Sequence, residues 1–460
     1  MQPIDRRRFL RNSFRLAGGI LVAPSLQGLL ACSPNSTDPG GPPDGVGYGP
    51  LLPAGDDLDL PEGFRFAVLG VAGSVMADGN RTPPMHDGMA AFALPNGNIR
   101  LIRNHEVRGP GGAPSGVNDL LLYDLRGAGG TTSLEVRPDG ERELVRDFIS
   151  LAGTTANCAG GPTPWGTWLT CEESTNGAPQ GFDAEHGYVF EVPADAEGPV
   201  RAVPLPALGR FVHEAVAVDP ATGIVYLTED MSWDPSSGLP GSGFYRFVPN
   251  SPGVLQDGGR LQALAVRDRP GYFTPTGQRP GVALATTWVD IEDPDPADAA
   301  TNPSAVFRQG VAGGAAVFHR LEGCWFDGGA VYFHATSGGN AGKGQVWQFR
   351  PDGDDGGTLA LIFESPGGDV LDHPDNITVS PRGGILICED ADGACHLRGL
   401  TPEGQIFDFA RNRRSQSEFA GACFSPDGRT LFVNVQGEQD AGVEPGRTYA
   451  IWGPWEDGAL

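Results

Sequence analysis

The sequence predicts an all-β protein, a single six-bladed β-propeller with loop insertions over residues 59–455. Three observations carry this. Gly (69) and Pro (41) make up about a quarter of the 460 residues, yet 39% are hydrophobic and fall in short, spaced runs, the pattern of many short strands joined by tight turns rather than of disorder. One hairpin phrase recurs six times: a polar or acidic start, a strand, a turn, a second strand and a polar or acidic end. Further strand-like runs stand between the copies, as four-stranded blades require.

Residues 1–32 read as an export signal. Arg6-Arg7-Arg8-Phe9-Leu10 resembles a twin-arginine signal, whose translocase carries folded proteins. The apolar stretch from Leu16 to Leu30 is broken by Gly18, Gly19 and Pro24 and is too short to span a bilayer. Leu29-Leu30-Ala31-Cys32 resembles a lipoprotein processing site, so Cys32 is expected to carry lipid and to tether the exported protein to a membrane surface, in the periplasm or at the cell surface. Residues 33–58, rich in Pro, Gly, Asp and Ser, read as a flexible linker. Phe64 to Val68 then alternates apolar and polar, and is expected to pair with Tyr449 to Trp452 and close the ring.

The six hairpins follow in order. The first starts at His86-Asp87, turns at Pro95-Asn96-Gly97 and ends at His105-Glu106. The second runs from Cys158 through Trp165-Gly166 to Glu172-Glu173, and the third from His213-Glu214 through Asp219 to Gly223 to Glu229-Asp230. The fourth starts at Glu322 and turns at Asp327-Gly328-Gly329; the fifth runs from Asp375 to Glu389-Asp390. The sixth begins at Ala420, in place of an acid. Gly187 to Val192, Gly243 to Phe247, Gln345 to Phe349 and Gly404 to Phe409 supply outer strands, and the acidic stretch Asp290 to Ala300 reads as a surface insertion.

In a propeller the first strand of each blade lines the channel and the second returns antiparallel. The polar ends of the hairpins therefore converge on one mouth, bringing together Asp87, Glu106, Cys158, Glu172, Glu173, Glu214, Glu229, Asp230, Glu322, Asp375, Glu389 and Asp390. Carboxylates so crowded raise one another's pKa, and bound cations resolve the conflict. Oxygen donors suit calcium, while the Cys158 thiolate favours a transition metal such as iron or zinc. For any one of these acids a solvated turn residue is the bland alternative, and for Cys158 a buried thiol. Against it, start and end residues stand 14 or 15 apart in five of the six copies.

A formal net charge of −25, near −29 once the five arginines and one aspartate of residues 1–31 are set aside, argues against nucleic acid as a partner. The seven cysteines show no zinc-finger spacing; a Cys388–Cys395 bridge is left open. No phosphate-binding loop or serine-nucleophile motif stands out.

Asn157-Cys158-Ala159-Gly160-Gly161, Thr163-Pro164-Trp165-Gly166-Thr167-Trp168 and Thr170-Cys171-Glu172-Glu173, with His213-Glu214-Ala215 and His319-Arg320-Leu321-Glu322-Gly323, resemble the PhoX-type alkaline phosphatases over roughly residues 60–455. The resemblance implies a phosphomonoesterase with an Fe3+ and Ca2+ cluster at the propeller mouth, acting on small phosphate esters. It places Cys158, Glu214 and Glu322 on or near iron, Arg320 on the phosphate, and Glu172, Glu173 and Asp375 at calcium. Asp87, Glu106, Glu229 and Glu389 stand as further metal ligands from the hairpin ring. A monomer is expected. Two other readings remain: a calcium-dependent lactonase or esterase, needing neither Cys158 nor Arg320, and a non-catalytic binding propeller.

Overall fold

The computed structural model describes residues 46–114 and 116–460. The signal over 1–32, Cys32 and the first part of the linker lie outside the described residues. Among the described residues strands are the dominant regular structure, and all six repeats fold as antiparallel hairpins: His86–Ala93 with Ile99–His105, Asn157–Pro162 with Thr167–Glu172, His213–Val218 with Val225–Glu229, Leu321–Asp327 with Ala330–Ala335, Pro374–Val379 with Ile385–Glu389, and Phe419–Phe424 with Leu431–Val435. The turns are written locally. Asp219 Oδ1 accepts from the Ala221 backbone N–H at 2.9 Å and Oδ2 from the Thr222 hydroxyl at 2.8 Å, and Gly223 supplies the left-handed φ of 73° that ends the turn.

The first strands of the hairpins pack each against the next in a closed circle, and outer strands extend the sheets from it, so the architecture is propeller-like. Arg65–Val71 pairs with Arg447–Trp452, joining the beginning of the described chain to its end as expected. The sheets of the third and fourth hairpins merge into one of nine strands, because Ala283–Asp290 pairs on one side with Gly259–Val266 and on the other with Gly357–Glu364.

One expectation needs correction. The linker does not extend to residue 58: Leu52–Pro53 pairs with Leu58–Leu60, which pairs with Ile406–Asn412. The Tyr48 ring packs edge-on against Phe64 and Phe409, and its hydroxyl donates to the Leu460 carbonyl at 2.8 Å. A polar, proline-rich strap is ordered here because it covers an otherwise open sheet edge. Beyond the acidic stretch Asp290 to Ala300 stands a helix, Ala305–Ala312, whose Val306 and Phe307 are buried in the core beside Leu261 and Ala263.

Each first strand is irregular at its mouth end. His86 faces His105, but Met89 faces Arg103, so three steps on one strand meet two on the other. The same bulge lies between Asn157 and Gly160, His213 and Val216, Leu321 and Cys324, and Pro374 and Ile377. Small residues follow, because neighbouring first strands nearly touch: a Cβ on Gly88 would lie 2.5 Å from Ala159 Cα, and one on Gly323 2.7 Å from the Asp375 carbonyl oxygen.

Candidate metal centre

The bulges build the site. Asp87, Cys158, Glu214, Glu322 and Asp375 each directly follow the residue at which a bulge begins, and the freed backbone turns each side chain into the mouth. The sixth hairpin has Ala420 and Gly421 there and contributes no ligand from this position. One step beyond the second strands stand Glu106, Glu173, Asp230 and Asp390. Their backbone N–H groups donate to the carbonyls of Met85, Ala156, Val212 and His373, at 2.9, 2.8, 3.1 and 2.9 Å.

Three groups of ligand atoms result, each within 4.8 Å: Asp87, Glu106 and Cys158; Cys158, Glu173 and Glu214; Glu214, Glu322 and Asp375. Cys158 and Glu214 each belong to two of them, so the three form one continuous string. Both oxygens of fully buried Glu214, and Oδ1 of Asp87, have no hydrogen-bond partner. An unpaired buried carboxylate is costly unless a cation completes it, so the donor set fits metal ions.

The electrostatics agree. Burial, then neighbouring Asp87, pushes Glu106 up to about 7; burial, then Asp390, does the same to Asp375. Asp87, Glu173, Glu214 and Glu322 are held well above the usual carboxylate range, first by burial and then by a neighbouring carboxylate, Asp375, Glu106, Glu322 and Asp230 respectively. The Cys158 thiol is raised by burial and by Asp87. Without cations, this cluster retains protons at neutral pH.

Two arginines supply counter-charge. Arg320, in a left-handed backbone conformation (φ 52°), grips Asp230 through Nε to Oδ1 at 3.0 Å and Nη2 to Oδ2 at 2.9 Å, and Nη2 lies 3.0 Å from Glu322 Oε1. Arg108 bridges Glu106 and Glu173.

Three expected ligands do other work. Glu172 accepts from the backbone N–H groups of Thr155, Gly187 and Tyr188 and bonds His186; Glu229 accepts from Gly243 N–H and the Tyr245 hydroxyl; Glu389 accepts from Asp372 and His396 N–H and from Arg398. Successive strand residues face opposite ways, so in each acidic pair the first carboxylate turns into its own sheet and the second to the mouth. Glu418, Gln436 and Arg108 were not anticipated. Glu418 is driven well above the carboxylate range by burial and by Asp375, Asp390, Asp87 and Glu106. Its signal was an acid just before the sixth hairpin. Gln436 donates to Asp87 at 3.0 Å and to Glu106 at 2.8 Å. The six described cysteines are all free thiols, so no Cys388–Cys395 bridge forms.

A string of buried carboxylates and a thiol across the mouth of a propeller-like ring defines a metalloprotein of the propeller class. The family described as alkaline phosphatase PhoX matches residues 46–438, and the chain belongs to it. It is thereby a metal-dependent phosphatase, a phosphoric monoester hydrolase. Among solved structures, it resembles Pseudomonas fluorescens PhoX in complex with vanadate, a transition state analogue (20% identity, TM-score 0.66, 89% of this chain and 98% of that one). A gluconolactonase from Xanthomonas campestris (14%, TM-score 0.41, 89% and 99%) and a virginiamycin B lyase from Staphylococcus aureus (10%, TM-score 0.39, 85% and 99%) are more distant and carry no functional argument. No curated protein matches the chain.

Proposed function

We propose that this phosphatase hydrolyses small phosphate monoesters outside the cytoplasm at an Fe3+ and Ca2+ centre, on a propeller whose six hairpins each head one blade. The observation that carries the metal reading is Glu214, whose two buried oxygens lack any partner between two groups of candidate ligands. Cys158, Glu214 and Glu322 would hold iron, with Asp87, Glu106, Glu173 and Asp375 taking calcium or completing the iron shell; a thiolate among hard oxygen donors supports this mixture. Bound cations would supply Lewis-acid polarisation of the phosphoryl oxygens.

The chain's own residues do the rest. Asp230 holds the Arg320 guanidinium in one plane, leaving Nη1 to meet a phosphoryl oxygen, and a planar fork suits that anion. Vanadate, a transition state analogue, bound to P. fluorescens PhoX supports reading this site as one for phosphoryl transfer. Export through the twin-arginine route, lipidation of Cys32 and a monomeric state rest on the sequence alone; among the described residues no helix is long and apolar enough to cross a membrane. Mass spectrometry of the mature N-terminus checks the anchor.

The first test is elemental analysis of natively exported protein with p-nitrophenyl phosphate turnover on the same sample. Iron and calcium with turnover are expected. Calcium without iron, and no turnover, would favour the lactonase or binding reading.

A further inference from the structure

Arg320 has a counterpart. Arg108 follows Glu106 by two residues, as Arg320 precedes Glu322 by two, and each guanidinium bridges one candidate ligand of its own hairpin and one carboxylate of a neighbouring hairpin: Glu106 and Glu173 for Arg108, Glu322 and Asp230 for Arg320. The charge of Glu173 acts on both arginines. Arg398, which pairs with Glu389 within its sheet, has only 7% of its side chain exposed. Arg108 is 51% exposed and Arg320 35%, so both present their outer edges to the mouth. The Arg108 backbone is clipped at both ends of its peptide by the Gln439 side chain, N–H to Oε1 at 3.3 Å and Nε2 to the carbonyl at 3.2 Å, whereas its Nη1 makes only a long 3.5 Å bond to the Glu173 carbonyl. The anchor is fixed and part of the fork is uncommitted.

We propose that Arg108 is a second substrate-contacting arginine, which holds the phosphoryl dianion from the first hairpin as Arg320 does from the fourth. The inference rests on the phosphatase reading and adds a residue that the sequence did not single out. An arginine at this place carries a fork of donors that matches two phosphoryl oxygens, which a single positive charge from lysine would not reproduce.

The test uses the metal-loaded full chain and its Arg108→Ala and Arg108→Lys variants, with three readouts: metal content, binding of inorganic phosphate by calorimetry, and KM and kcat for p-nitrophenyl phosphate. A charged hydrogen bond to the anion predicts that Arg108→Ala keeps the wild-type metals but binds phosphate about 10-fold more weakly and raises KM, with Arg108→Lys between. Unchanged phosphate affinity with intact metals overturns the proposal, and so does loss of metal in both variants, which would make Arg108 a counter-charge for Glu106 and Glu173. If Arg108→Ala fails to fold, Arg108→Lys decides by the same criteria. Absence of both phosphate binding and turnover in the wild type would instead sink the phosphatase reading; wild-type turnover with indifferent variants sinks only this one.

Discussion

Glu172 and Glu173 are adjacent in the chain, and their carboxylates face opposite sides of one sheet: Glu172 closes on Thr155, His186, Gly187 and Tyr188, while Glu173 meets Cys158 and Glu214 at the mouth. The relationship makes a paired prediction. Glu172→Gln points an amide donor at groups that already donate and should cost about 1–3 kcal/mol of stability, with metal content unchanged in the folded fraction. Glu173→Gln should lose metal and turnover, with no loss of melting temperature when both proteins are compared metal-free. Thermal melts alongside elemental analysis separate the two; equal metal loss in both would refute the division of roles.

Glu214 is the ligand with no alternative partner. Glu214→Gln should lower kcat/KM at least about 100-fold, some 2.7 kcal/mol of transition-state stabilisation, together with metal stoichiometry. In the metal-free protein the same change should raise the melting temperature at pH 8, because a neutral amide replaces a group that burial disfavours as an anion. Full activity in this variant would remove Glu214 from the centre.

The metal-free protein should grow less stable as pH rises. Glu106 and Asp375 are pushed up to about 7, while in the unfolded chain they ionise near 4. Between those values the native state binds more protons than the unfolded one, so the stability present below about pH 4 is lost as pH climbs to about 7. His213 and His334, pushed down to about 4 by burial, act in the opposite sense as pH falls below about 6.5, but they do so with or without metal. The difference in melting temperature between metal-loaded and metal-free protein should therefore widen from pH 5 to pH 8. A constant difference would show that the cluster carboxylates do not take up protons.

Gly323 lies where two inner strands nearly touch. A methyl group there would lie 2.7 Å from the Asp375 carbonyl oxygen and 2.8 Å from the Ile377 nitrogen, both backbone atoms. Gly323→Ala should destabilise by roughly 1–3 kcal/mol through overpacking and, by displacing Asp375, weaken metal binding. Unfolding in denaturant with a metal titration checks both.

The sequence by itself determined the all-β class, the six hairpins, the ring closure of the Phe64 to Val68 run on Tyr449 to Trp452, and the convergence of Asp87, Cys158, Glu214, Glu322 and Asp375. Those features are local: alternation, turn chemistry and a phrase repeated at fixed spacing. Only the tertiary structure decided that Glu172, Glu229 and Glu389 brace their own sheets, that Glu418 and Arg108 join the mouth, and that residues 46–60 strap a sheet edge. The physical reason is that successive strand residues face opposite ways, so which member of an acidic pair reaches the mouth, and which segment covers a sheet edge, is set by pairing and packing with strands distant in the sequence, which a local pattern does not record.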